Sequence, residues 1–242
     1  MNFRYTFLIC FCLLFAPAAG AQSTAASDDV KTGDIRLFQD KYPEAIAAYS
    51  KAIERDGKLW KAYMGRAMAY AKILNYTDAI ADYTTVIALA AQPEAYYARA
   101  ELHFIRNEFN DAIADFSQVI NADSLHVKAY VQRGRVYHHT TNYAQALADF
   151  SKAIALDFYF PDAYYYRGIT KIANQEARNA VADFTQAISL LPDEGRYYKE
   201  RAFTYFIIGE WTAADADLKK AVALAPALQS EADELRKLFS TQ

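Results

Sequence analysis

The chain has 242 residues, 53% of them apolar and 23% charged, which allows a sizeable core in one or two domains. Its net charge of −3 excludes a general nucleic-acid or anionic-membrane binder, since such affinity needs a basic surface. Glycine (8) and proline (6) are sparse while Tyr (19) and Phe (15) are abundant, a balance that favours helices packed through aromatic side chains.

At the N-terminus Arg4 supplies a positive charge, Phe7 to Phe15 form an apolar stretch, and Ala19-Gly20-Ala21 offers a small-x-small cleavage site. This pattern predicts a signal peptide over residues 1–21 and an exported chain, periplasmic in a bacterium or secreted. The apolar run is short for a membrane span, so no membrane insertion is expected after cleavage. Both cysteines, Cys10 and Cys12, fall within this segment. The chain that remains has no thiol for a disulfide, a nucleophile or a metal. Residues 22–28 are small and polar and predict a flexible leader.

A repeat follows. A small residue in an Ala-Ile-Ala-Asp-Phe-like phrase recurs at Ala45, Ala79, Ala112, Ala146, Ala180 and Ala214, spaced by 34, 33, 34, 34 and 34 residues. A fixed period of this length marks a solenoid. Each unit holds two helical patterns. Tyr130, Gly134 and Tyr137 share one helix face, and Ala146, Phe150, Ala153 and Ile154 share another. The polar turn Thr140-Thr141-Asn142 lies between them, and Pro93, Pro161, Pro192 and Pro226 punctuate the joints between units. The single missing residue between Ala79 and Ala112 is expected in the loop near Ala91-Gln92-Pro93. A deletion inside a helix would turn its packing face by about 100°.

The spacing resembles the tetratricopeptide repeat (TPR). The eighth residue of each unit is small (Gly33, Ala67, Ala100, Gly134, Gly168, Ala202), the twentieth is the alanine series, and the twenty-fourth is bulky (Tyr49, Tyr83, Phe116, Phe150, Phe184, Leu218). Small residues let paired helices approach, and the bulky residue fills the joint with the next unit. The resemblance implies an all-α superhelix (solenoid) of about six helical hairpins, over 26–59, 60–92, 93–126, 127–160, 161–194 and 195–226. Residues 227–242 pattern as an amphipathic capping helix. The first unit departs from the pattern, with Asp29 and Arg36 where aromatics are usual.

The seventh position carries Arg66, Arg99, Arg133, Arg167 and Arg201, and the twenty-third carries Asp82, Asp115, Asp149, Asp183 and Asp217. The first unit lacks both charges. This joint presence predicts an ion pair within each repeat. His103, His126, His138 and His139 read as packing and surface residues, so no metal site and no cofactor are expected. The carboxylates follow the repeat rather than converging, and the chain shows no nucleophile–base pair or phosphate loop, so no enzyme is expected.

The resemblance also implies a binding groove along the first helices of the repeats. The corresponding positions give Met64, Met68, Tyr97, Glu101, Phe104, Val131, Arg135 and His138. They continue with Tyr165, Ile169, Ile172, Lys199, Phe203 and Phe206. Such an apolar lining suits a peptide or helix of a partner protein. The carboxylate clamp of chaperone-binding members is not supplied by any three consecutive units. The expected function is a non-enzymatic interaction module or scaffold with an unknown protein or peptide partner. The alternative is an adaptor that forms a homo-oligomer through its convex face or a terminal repeat, with the groove residues buried as core.

Overall fold

The computed structural model describes residues 19–239. Among them are thirteen α-helices and no strand. The chain divides into two units, Met1–Ala90 and Ala91–Gln242. In the first, α1 (Ala19–Phe38), α2 (Tyr42–Arg55), α3 (Trp60–Lys72) and α4 (Tyr76–Ala90) form two helical hairpins. In the second, α5 (Pro93–Ile105), α6 (Phe109–Ala122), α7 (Val127–His139) and α8 (Tyr143–Leu156) form two more. They are followed by α9 (Pro161–Ala173), α10 (Ala177–Leu190), α11 (Gly195–Ile208) and α12 (Trp211–Leu224). A 3-10 turn, Pro226–Leu228, leads into α13 (Gln229–Phe239).

The repeat pattern explains the packing. Ala45, Ala79, Ala112, Ala146, Ala180 and Ala214 are all fully buried, as are Tyr49, Phe116, Phe150, Phe184 and Leu218. Burying one such aromatic ring stabilises the fold by about 2–3 kcal/mol. A Cβ added at Gly134 would lie 2.8 Å from the Phe150 ring, so this glycine is what lets α7 approach α8 so closely. Every hairpin turns through one residue of positive φ at its fifteenth position: Asp40, Leu74, Asn107, Thr141, Gln175 and Gly209. Four residues separate α2 from α3 and α6 from α7, but only Ala91 and Gln92 separate α4 from α5. The shortened spacing is therefore absorbed in that loop, and both helical faces keep their phase.

The five Arg–Asp pairs form within their own hairpins. Nε and Nη2 of each arginine donate to the two carboxylate oxygens of the aspartate, as in Arg66–Asp82 (2.8 and 2.8 Å) and Arg201–Asp217 (2.7 and 2.8 Å). In four of the five the remaining nitrogen, Nη1, reaches back to a hydroxyl of the preceding hairpin: Ser50 for Arg66, Ser117 for Arg133, Ser151 for Arg167 and Thr185 for Arg201. Tyrosine faces flank the guanidinium, with Tyr130 and Tyr137 each 5.8 Å from Arg133. Asp82, Asp115, Asp149, Asp183 and Asp217 are buried, so each carboxylate depends on its arginine for compensation.

Residues 22–28, expected as a flexible leader, lie inside α1. Ala26 is fully buried and Val30 packs into the core of the first unit, so this stretch has apolar contacts that anchor it as helix. Most of the expected signal segment, residues 1–18 with both cysteines, lies outside the described residues, and so do residues 240–242 of the expected cap. In the first hairpin Asp29, which replaces the usual aromatic, accepts from Arg55 Nε at 2.7 Å and ties α1 to α2.

Candidate functional site

In the second unit the first helices α5, α7 and α9 lie side by side. Their exposed edges enclose a cavity of about 270 Å3, lined by Tyr97, Lys128, Val131, Gln132, Arg135, Phe160, Asp162 and Tyr166. Arg135 organises it. Its guanidinium lies over the Phe104 ring at 5.4 Å and the Tyr166 ring at 4.8 Å. Its Nη1 donates to Gln132 Oε1 at 2.6 Å, and Gln132 Nε2 donates in turn to Glu101 Oε1 at 3.5 Å. Burial raises the pKa of the neighbouring Tyr97 phenol, with the Glu101 carboxylate adding to the rise and Arg135 opposing it. Burial pushes the Glu101 carboxyl above its usual range, with Tyr97, Arg135 and Lys128 pulling the other way.

Asp162, at the cavity edge, also belongs to a second cation–aromatic stack. Arg196 lies 4.9 Å from the Tyr165 ring and 5.0 Å from the Tyr197 ring. Its Nη2 donates to Asp162 Oδ1 at 2.8 Å, and the Tyr197 hydroxyl donates to the same oxygen at 3.1 Å. Asp162 is thus fixed at the cavity edge by two donors. Burial raises the Tyr197 phenol to about 12, so it stays a donor at physiological pH.

Of the residues expected in the groove, Tyr97, Val131 and Arg135 line this cavity, with Glu101 and Phe104 behind Arg135. Val131, however, is only 4% exposed and packs in the core with Tyr130 and Phe150. His138 turns away from the cavity, with Nδ1 at 3.0 Å from Thr170 Oγ1. The Thr170 hydroxyl already donates to the Tyr166 carbonyl at 2.8 Å, so His138 carries its proton on Nδ1 and donates. Burial, then the neighbouring His139, holds the His138 pKa below its usual value. Tyr165 and Phe206 are buried, and Ile169 and Ile172 pack against the same core as Tyr165. The open apolar lining expected from the sequence is therefore corrected at Val131, Tyr165 and Phe206. The fifth position meets the neighbouring first helix, and Phe206 is closed over by Ala232 and Leu235 of α13.

Lys199 and Phe203 lie in a separate cleft of about 520 Å3 under α13, with Glu200, Glu231, Leu235 and Leu238. Lys199 Nζ reaches Glu231 at 2.8 Å, and Arg236 Nε reaches Asp215 at 3.1 Å, so α13 occupies the groove side of the last hairpin. Met64 and Met68 belong to the first unit. They face Leu37, Phe38 and Trp60 across a cleft of about 530 Å3.

The sequence reading did not single out Lys128, Gln132, Phe160, Asp162 and Tyr166. Lys128 and Asp162 hold the second position of their repeats, one of those the family resemblance marks as ligand-facing. Gln132 and Tyr166 hold the sixth, where the second repeat has Gly65 and the third Ala98. Lys31 and Glu200 are large at the sixth position too, so size there gave no distinct signal, and the second position was the one available.

A family model described as Tetratricopeptide repeat matches residues 30–92, 66–117 and 97–159, together more than half of the chain. Hsp70-Hsp90 organizing protein 3 of Arabidopsis thaliana is 27% identical over 101 residues, covering 41% of this chain and 18% of that protein. Among solved structures, the C-terminal part of a TPR repeat-containing protein from Cytophaga hutchinsonii superposes with a TM-score of 0.73. It has 21% identity and covers 88% of each chain. YrrB, described as a TPR protein with an unusual peptide-binding site, gives a TM-score of 0.63 at 20% identity, over 73% of this chain and 95% of that one. The hairpin stack deduced from a period of 34 residues is the one these structures share, and the chain belongs to the tetratricopeptide repeat family.

Proposed function

We propose that this protein is a non-enzymatic interaction module whose second unit holds an extended peptide of a partner protein across α5, α7 and α9. The observation that carries the reading is Arg135, clamped between Phe104 and Tyr166 and tethered to Gln132 beside an open cavity. A guanidinium stacked on aromatic rings keeps its edge for hydrogen bonds. Gln132 offers an amide beside it, of the kind that pairs with a peptide backbone. Lys128 adds an exposed cation at the rim, suited to an acidic side chain or carboxylate of the peptide. The chain spans under a fifth of its chaperone-organizing relative. The cavity lining carries two cations, Lys128 and Arg135, against one carboxylate, Asp162, a balance that favours an acidic peptide.

Peptides selected from a displayed library on the wild-type chain should be enriched in acidic residues. They should bind at least tenfold more weakly to Lys128→Glu and Gln132→Ala, the loss of one or two charge-assisted contacts. Equal binding to both variants would sink the reading.

A second reading, self-association through a terminal repeat, is favoured by Phe38, which is 90% exposed beside Met68 at 45%. Sedimentation at rising concentration separates the two, because Phe38→Ser should abolish any dimer and leave peptide binding unchanged. The export reading of residues 1–21 places the partner in the bacterial envelope. N-terminal sequencing of the exported protein should begin at Gln22, and a start at Met1 would contradict it.

A further inference from the structure

We propose that His103, Glu108 and Asp111 form a divalent transition-metal site of the zinc type at the turn of the α5–α6 hairpin. His103 closes the last turn of α5, Glu108 immediately precedes α6, and Asp111 lies in its first turn. One ligand atom from each, a histidine nitrogen and two carboxylate oxygens, lies within 4.8 Å of the others. His103 Nδ1 and Glu108 Oε2 are 2.6 Å apart and share a proton. Tetrahedral zinc with bonds of about 2.0–2.2 Å sets its ligands roughly 3.3 Å apart, so small side-chain rotations admit the ion. It displaces the shared proton, and two carboxylates balance its charge.

The surroundings fit. Arg106 Nη2 holds the other Glu108 oxygen at 2.9 Å, leaving Oε2 for the ion. His103 Nε2 faces Asp115 Oδ2 at 4.0 Å, an acceptor on the side opposite the ion, and Arg99 fixes that carboxylate in turn. Asp111 is exposed, which leaves the fourth position to water.

The repeat supplies an independent argument. The corresponding residues are Tyr70, Asn75 and Asp78 in the second hairpin and Tyr137, Asn142 and Gln145 in the fourth. In the sixth they are Tyr205, Glu210 and Ala213. None of these sets offers three ligands. In the fifth hairpin Lys171 stands at the His103 position, with Nζ 2.8 Å from Asp183 Oδ2 and 3.4 Å from the Asn179 carbonyl. A fixed cation already occupies the equivalent place there, and the third hairpin has exchanged it for a ligand set.

Zinc calorimetry and cobalt absorption on the full chain test this, with Cys10→Ser and Cys12→Ser removing the thiols. One equivalent of zinc and the visible bands of a low-symmetry cobalt site are expected. Asp111→Asn, a change at an exposed position, should weaken binding at least tenfold. His103→Lys should abolish it while leaving the helical content unchanged, since Lys171 shows that the hairpin accepts a lysine there. Loss of zinc binding in His126→Gln instead, binding unaffected by both His103→Lys and Asp111→Asn, or no binding by the parent chain would each overturn the proposal.

Discussion

Arg133 and Asp149 are joined by two parallel hydrogen bonds of 2.8 Å, while the third guanidinium nitrogen reaches Ser117 of the preceding hairpin at 2.9 Å. One side chain thus ties α7 to its partner α8 and to α6. The Asp149 side chain is 8% exposed, so removing only the cation strands a buried charge. Arg133→Met should cost about 3 kcal/mol, and Arg133→Met with Asp149→Leu distinctly less than the sum of the single changes. Ser117→Ala should cost about 1 kcal/mol. Urea unfolding of the four variants measures the coupling, and additivity would contradict the pairing.

The hairpin turns carry a cost that can be removed. Thr141 is exposed, β-branched and held at φ 60°, where Gly209 stands at φ 83° in the last hairpin. The left-handed region costs an ordinary residue roughly 1–2 kcal/mol, and glycine recovers most of it less its own chain entropy. Thr141→Gly and Leu74→Gly should each raise stability by about 1 kcal/mol, and Gly209→Ala should lower it by a similar amount. Thermal unfolding of the three variants gives the signs.

Tyr49 is fully buried between Gly33 and Gly65, whose added Cβ atoms would both meet its ring. Gly65 lies inside α3, where alanine gains about 1 kcal/mol of helix propensity. Overpacking against a ring that has no room to retreat costs about 1–3 kcal/mol, so the clash should win and Gly65→Ala should destabilise. Tyr49→Leu in the Gly65→Ala background should recover part of the loss. The Tyr49 hydroxyl also donates to Asp34 at 2.7 Å, which limits that recovery.

His138 sets a pH dependence. Its folded pKa is depressed below 6.5, first by burial and then by His139, so the unfolded chain binds the proton more readily. Its contribution to stability is complete above pH 6.5 and is lost as pH falls through the folded pKa. Protonation strands a charge in the α7–α9 interface, next to Thr170 and the Tyr143 ring. Chemical unfolding at pH 7.5 and pH 5 should show a smaller loss on acidification for His138→Gln than for wild type.

The architecture was legible because its signals repeat. Six buried alanines at fixed spacing define the hairpins, and the joint absence of Arg and Asp from the first unit identifies their pairing elsewhere. The hydroxyl that completes four of the five pairs also recurs, as Ser50, Ser117, Ser151 and Thr185, but a small polar residue after an aromatic has no unique meaning until the neighbouring helix is in place. The cavity was legible only in part. Residues that vary between repeats make it, and the side of a first helix facing its neighbour is apolar just as a binding face is. Val131 and Tyr165 therefore looked like open lining although they are packed, while Lys128, Gln132 and Tyr166 escaped notice.

The most direct measurement is the affinity of one library-selected acidic peptide, by fluorescence anisotropy, for wild type, Lys128→Glu, Gln132→Ala and a control away from the cavity, Lys220→Glu on the exposed face of α12. Unfolding curves for all four establish that each is folded. Weakening of at least tenfold in both cavity variants, with the control unchanged, is the predicted result. Undiminished binding to the cavity variants, or loss confined to Lys220→Glu, would contradict it and move the interaction surface away from α5, α7 and α9.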